Sequence, residues 1–237
     1  MRTLYQKYKI YGFRKFVQYA CIELYHRLWL HIVKKSFSQK GEDLLIDKLL
    51  QHKGKGFYID IGAYDPHRFS NTKRFYLRGW RGINIEPNLI SYRKFLKDRP
   101  EDINLNIGIA SENGKMIFYE VFPETLSTFS LDELKEYEKQ GYRVIGMKEI
   151  NVRKLSDILE EYCGDQSIDF MTIDTEGYDL DVLKSNEWSR FRPRVVCVET
   201  AQITRAISKK NASINEFLTR NGYKQYLDNG LNTIFVA

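Results

Sequence analysis

"FYIDIGAYDP", residues 57–66, is an apolar run that ends on a carboxylate, Asp60, and a glycine, Gly62, before a tight polar turn. Strand- and helix-like segments alternate on both sides of it. "RGINIEP", "INLNIGIA", "IDFMTID" and "RVVCVET" read as further strands. "SNTKRFYL" (capped by Ser70 or Asn71), "LISYRKFL", "LSDILEEY", "LDVLKS" and "INEFLTRNGY" read as the helices between them. Ser38 is placed to cap an earlier helix beginning near Gly41, with Glu42 and Asp43 in its first turn. Near the C-terminus, Asn229-Gly230 between two strand-like runs signals a hairpin. This order predicts an α/β fold whose mostly parallel sheet is wrapped by helices, with an antiparallel hairpin at its end.

In such sheets ligands bind beyond the carboxyl ends of the strands. Asp60 and Gly62 sit at one such end, and Glu86 of "NIEP" ends the next strand. Neither GxGxxG nor GxxxxGK[ST] occurs, so the site lacks a phosphate cradle. An acid at the second strand end typically takes a ribose diol. A nucleoside without phosphate and with a cationic, amine-bearing tail fits S-adenosylmethionine. The plain alternative is that Asp60 and Glu86 only cap helices.

The chain has 237 residues, 43% hydrophobic and 29% charged, which suits a sizeable folded core. Its three cysteines, Cys21, Cys163 and Cys197, are widely spaced, so neither a disulfide framework nor a zinc site is expected. A cytoplasmic setting follows as an expectation. The net charge of +6 is uneven: residues 1–35 hold eight Lys/Arg against Glu23, which makes +7 and leaves −1 for the remainder. The basic balance therefore belongs to an arm and gives no reason to expect nucleic acid. That arm reads as helical, carries eight aromatics, and suits peripheral contact with an anionic membrane face or pairing into a homodimer. Residues 36–237 form the catalytic domain in this reading, with 123–150 as a candidate lid.

"SQKGED", "FYIDIGAYDP", "SNTKRFYLRGWRGINIEPN", "NIGIAS", "STFS", "KEINVRKLSDIL" and "IDFMTIDTEGYDLDVLKS" together resemble the FkbM-type methyltransferases over roughly residues 36–200. The resemblance implies a Rossmann-like class I methyltransferase fold and an S-adenosylmethionine-dependent O-methyltransferase. It places Asp60, Gly62 and Ala63 on the first cofactor loop, Glu86 and the adjoining Pro87 at the ribose, and Asn106 and Gly108 at the strand end facing adenine. Tyr64 stands where the general class I pattern has a second glycine, which implies a wider loop completed by Gln39, Ser70 and Asn71.

O-methylation needs an alcohol proton removed while the oxygen attacks the methyl group, so a base or a metal must assist. "IDTEGYD" puts Asp174, Glu176 and Asp179 after the fourth core strand, and Glu199 ends the neighbouring one. Asp174 is the first choice for base. Asp174 and Glu199 are candidate Mg²⁺ ligands, because that ion takes carboxylate oxygens. Asp179 reads more simply as a helix cap. His67, in the loop "DPHRFSNT", is a further candidate base or plain surface. Ser127 and Thr128, in the lid, are placed to bond acceptor hydroxyls. The resemblance points to a sugar hydroxyl in a glycan or glycolipid precursor, and a basic arm suits a lipid-linked one. A small polyketide-like or peptide acceptor, or a non-catalytic nucleoside-binding module docking through the arm, are the rival readings.

Overall fold

The computed structural model describes residue 32, residues 35–200 and residues 205–237. The elements run α1 (Glu42–Leu49), β1 (Phe57–Ile61), α2 (Lys73–Leu77), β2 (Arg81–Ile85), α3 (Leu89–Asp98), β3 (Ile103–Leu105), β4 (Gly108–Ile109), β5 (Gly114–Phe122), α4 (Leu131–Lys139), β6 (Arg143–Arg153), α5 (Leu155–Tyr162), β7 (Phe170–Ile173), α6 (Asp179–Lys184), β8 (Val195–Glu199), α7 (Arg205–Arg220), β9 (Lys224–Asp228) and β10 (Asn232–Val236). Seven strands form one sheet in the order β3-β2-β1-β7-β8-β10-β9, and β4, β6 and β5 form a second, smaller one. β1 pairs in parallel with both β2 and β7, β2 with β3, and β7 with β8, while β10 runs antiparallel to β8 and β9. This is the expected Rossmann-like class I methyltransferase fold, and the Asn229-Gly230 turn closes the terminal hairpin. Strand order reverses between β1 and β7, so their carboxyl ends open the crevice where ligands bind.

All five residues of β1 are buried, because helices cover both faces of the sheet. Phe57, Ile59 and Ile61 point to one face and pack with Leu155, Ile158, Leu159, Ile214 and Leu218. Tyr58 points to the other, among Phe75, Trp80 and Phe170, with Ile46 and Leu50 from α1. There the Phe75 ring centroid lies 4.6 Å from that of Phe170 and 4.9 Å from that of Trp80. Tilted pairs of this kind add about 0.5–1.5 kcal/mol each beyond their buried area. By the same alternation Asp60 falls on the Tyr58 face, under the loop that leads into α2.

Three expectations are corrected. "INLNIGIA" is two strands in different sheets, because Asn106 between them turns its side chain back to the Glu86 and Pro87 carbonyls at 2.8 and 2.9 Å. The cap position of α2 is Thr72 rather than Ser70 or Asn71, although the Ser70 hydroxyl still accepts the Thr72 and Lys73 N–H groups at 3.3 and 3.1 Å. The segment 123–150, read as a candidate lid, belongs in part to the smaller sheet, since from Arg143 the chain already runs as β6, antiparallel to β5. Ser38 accepts from the Gly41 and Asp43 N–H groups at 3.1 and 3.3 Å and so caps α1 as read, and Asp43 accepts from Ser36, Ser38 and Arg74. The arm, residues 1–35, lies outside the described residues save positions 32 and 35. Among the described residues no helix is long and apolar enough to cross a membrane.

Candidate active site

β1 delivers Gly62 to the crevice with φ 77°, a left-handed backbone that glycine adopts without strain. A Cβ at this position would lie 1.8 Å from the Asp174 carbonyl oxygen, so only hydrogen fits between the β1 and β7 ends. The Gly62 and Ala63 N–H groups both reach the Ile85 carbonyl, at 3.0 and 3.2 Å, which ties the loop to β2. Tyr64 takes φ 55° and donates its N–H to Glu86 Oε2 at 2.7 Å. Glu86 Oε1 accepts from the Asn88 N–H, also at 2.7 Å. Burial pushes the Glu86 carboxyl up to about 7 despite these two bonds. Asp60 is also buried and rises to about 6 for the same first cause, opposed by the Thr72 hydroxyl that donates to its Oδ2 at 2.6 Å.

Across the crevice, Asp174, Glu176 and Glu199 bring carboxylate oxygens within 4.8 Å of one another. Burial raises Asp174 to about 7 and holds Glu199 well above the usual range, each with help from neighbouring acids. The two carboxyls share a hydrogen bond and hold a proton between them, so they titrate as a pair. Glu176 is held from the segment between β5 and β6. Tyr137 donates its hydroxyl to the Glu176 carboxylate, Thr128 Oγ1 donates to the Glu176 carbonyl at 2.7 Å, and Gly177 packs against Glu133 and Ser130.

Between these two groups of acids lies one cleft, open to solvent, lined by residues from the ends of β1, β2 and β7 and from the segment after β5. Of the residues read from the sequence, Asp60, Gly62, Ala63, Tyr64, Glu86 and Pro87 line it at the β1 and β2 ends, and Gly108 lines it too. Gln39, Ser70, Asn71, Ser127, Asp174 and Glu176 line it as well. Four expected residues do not line it. Asn106 spends its amide on the β2 turn, and Thr128 bonds the Glu176 carbonyl. Glu199 reaches the cleft only through the acidic cluster. His67 is half exposed on the outer side of its loop, 2.9 Å from Asp98 and 2.6 Å from Lys73.

Sequence reasoning missed the apolar wall of Phe118, Phe129 and Tyr178, the α4 residue Tyr137, and the fully buried Arg99. Phe129 lies in the "STFS" stretch, which was read only for its hydroxyls. The reading of Glu42 as a first-turn acid of α1 holds but leaves out its other contacts. Glu42 is buried, and its carboxylate accepts from Lys40 N and from the side-chain amides of Asn229 and Asn232, each at 2.8 Å. This knot holds the loop that presents Gln39.

No curated protein matches the chain by sequence. Over 78% of its length the chain is similar to the crystal structure of a methyltransferase FkbM from Methylobacillus flagellatus KT, at 14% identity and a TM-score of 0.49. It spans 44% of the length of that protein. Over 86% of its length it is similar to a precorrin-6y C5,15-methyltransferase from Geobacter metallireducens GS-15, covering 91% of that chain at 14% identity and a TM-score of 0.41. The methyltransferase FkbM domain matches residues 60–224, which run from the Asp60 loop through the acidic cluster to the start of β9. With that match over most of its length, the chain belongs to the FkbM methyltransferase family.

Proposed function

We propose that the protein is an S-adenosylmethionine-dependent O-methyltransferase acting on a hydroxyl group, with a sugar of a glycan or glycolipid precursor as the acceptor. One observation carries this reading: the acids at the ends of β1 and β2 and those that follow β7, Asp174 and Glu176, line one continuous cleft, with Glu199 of β8 joined to it through the acidic cluster. Glu86 takes the ribose hydroxyls and Asp60 the cationic methionine end, while Ile107, Ile109 and Phe118 offer an apolar wall for the adenine. Glu124, Thr125 and Ser127 give the lid side a polar character, which supports a hydroxyl-rich acceptor over a polyketide-like one.

Asp174 is the base. Its carboxylate takes the acceptor's hydroxyl proton while that oxygen attacks the methyl carbon in line. The carbon–sulfur bond breaks, its electron pair stays on sulfur, and a methyl ether and S-adenosylhomocysteine result. Glu199, hydrogen-bonded to Asp174, orients it. The three clustered carboxylates also fit a hard divalent cation, with Asp174, Glu176 and Glu199 as the residues that would hold Mg²⁺. Such an ion would lower the pKa of a bound hydroxyl.

A cytoplasmic enzyme with a lipid-linked acceptor accords with a basic, aromatic arm that rests on the membrane or pairs two copies. The test is incubation of the whole protein with methyl-labelled S-adenosylmethionine and cell glycan or lipid extracts. Label in a sugar methyl ether is the expected outcome. Binding of the cofactor with no acceptor labelled in any extract would favour a non-catalytic binding module.

A further inference from the structure

Arg99 ends α3 with its side chain fully buried, and no carboxylate pairs with it directly among the described residues. Its guanidinium is instead wrapped by the segment that leaves β1. Nη2 donates to the Pro66 carbonyl at 2.6 Å and to Ser70 Oγ at 2.8 Å, and Nη1 donates to Thr72 Oγ1 at 2.6 Å. The rings of Tyr76 and Phe95 lie 5.4 and 5.3 Å from the guanidinium carbon. A hydroxyl has one proton to give. Thr72 accepts from Arg99 and directs its own proton to Asp60 Oδ2, 2.6 Å away. A buried cation is thus linked through one hydroxyl to an acid that faces the cleft.

We propose that Arg99 and Thr72 form a relay that orients Asp60 and keeps it ionised, and so sets the affinity of the cleft for the cationic end of its cofactor. This rests on the reading of the cleft as an S-adenosylmethionine site. Arg99 acts through Thr72 and is a positioning residue. The relay favours the carboxylate because the guanidinium is always charged and the Thr72 hydroxyl donates a stronger, charge-assisted bond to an ionised oxygen than to a neutral one. The groups around Asp60 are Tyr58 on β1, Glu86 after β2, Asp102 after α3, Asp174 after β7 and Cys197 on β8. The acids among them oppose its ionisation, so Arg99 with Thr72 is the counterweight. Asp102 is itself held by the Tyr58 hydroxyl at 2.5 Å and the Asn84 amide at 2.9 Å.

The test is calorimetric titration of the whole protein with S-adenosylmethionine from pH 5 to 8, for the unaltered chain, Thr72→Val and Thr72→Ser. Glu86 and Asp174 titrate alike in all three, so differences between the profiles isolate Asp60. Loss of one charge-assisted hydrogen bond should move the pH at which affinity falls upward by about one unit in Thr72→Val. Thr72→Ser, which keeps the hydroxyl, should restore the original profile. A lower melting temperature in Thr72→Val with an unmoved pH profile would mean that Thr72 only packs, and would overturn the relay. Should Thr72→Val not fold, Thr72→Ala reads the same shift. No binding by the unaltered protein would overturn the cofactor reading and the relay with it, whereas binding with superimposable profiles overturns the relay alone.

Discussion

Glu86→Gln should remove a pH-dependent cost that the ligand-free protein bears at pH 8 while weakening its grip on the cofactor. Glu86 is 6% exposed, and its carboxyl is raised from 4.5 to about 7, first by burial. An acid raised in the folded state binds more protons there than in the unfolded chain. Stability therefore falls as pH rises from the unfolded value, 4.5, through the folded one, about 7, and the penalty is complete above that window. At about 1.4 kcal/mol per pKa unit the full penalty approaches ~3 kcal/mol, taken as an upper bound. Glutamine cannot ionise and escapes the penalty, although its amide nitrogen cannot accept the backbone N–H that one carboxylate oxygen takes, a loss of about 1–3 kcal/mol at every pH. Urea unfolding of both proteins should therefore show the variant gaining about 2–3 kcal/mol on the unaltered chain between pH 5 and pH 8. At roughly 2–4 °C per kcal/mol for a chain of this size, the melting-temperature difference should move in the variant's favour by about 5–10 °C over the same range. The same variant should lose about 1.5–3 kcal/mol of S-adenosylmethionine affinity, the scale of hydrogen bonds to a charged group. A stability difference between the two proteins that does not grow from pH 5 to pH 8 would refute the claim that this acid is held at a cost for binding.

Gly62→Ala combines a left-handed backbone, about 1–2 kcal/mol for a residue with a Cβ, with overpacking against the Asp174 carbonyl, about 1–3 kcal/mol. Chemical denaturation should show a loss of roughly 2–5 kcal/mol, and a loss under ~1 kcal/mol would contradict the close approach of β1 and β7. Asp174→Asn should nearly abolish methyl transfer while calorimetry finds cofactor affinity largely intact; full turnover in that variant would remove Asp174 from the chemistry. If the three-carboxylate cluster holds Mg²⁺, EDTA should stop the reaction and added Mg²⁺ restore it, while full activity in EDTA leaves the metal-free base. His67→Ala should leave turnover within about twofold, because the imidazole lies outside the cleft with Asp98 and Lys73; a hundredfold loss would return it to the candidates for base.

Alternation of short apolar runs with amphipathic helices is local information, written within windows of about ten residues. That is why "FYIDIG", "RGINIEP", "IDFMTID" and "RVVCVET" could be placed as strands, and why their order implied a parallel sheet with a terminal hairpin. Because a parallel sheet puts its ligands at the carboxyl strand ends, the same reading located Asp60, Glu86, Asp174 and Glu199. What each of these acids touches was not legible. The Thr72 hydroxyl meets Asp60 across 12 residues, Tyr137 meets Glu176 across 39, and Asn232 meets Glu42 across 190. The split of "INLNIGIA" between two sheets likewise followed from where Asn106 found carbonyls to bond. Periodicity tells which side of an element a residue occupies, but a hydrogen bond depends on a few tenths of an ångström between atoms that only the packed fold brings together. The ionisation of the buried acids was decided at that level too, since burial and neighbouring charge set it, and neither exists in the unfolded chain.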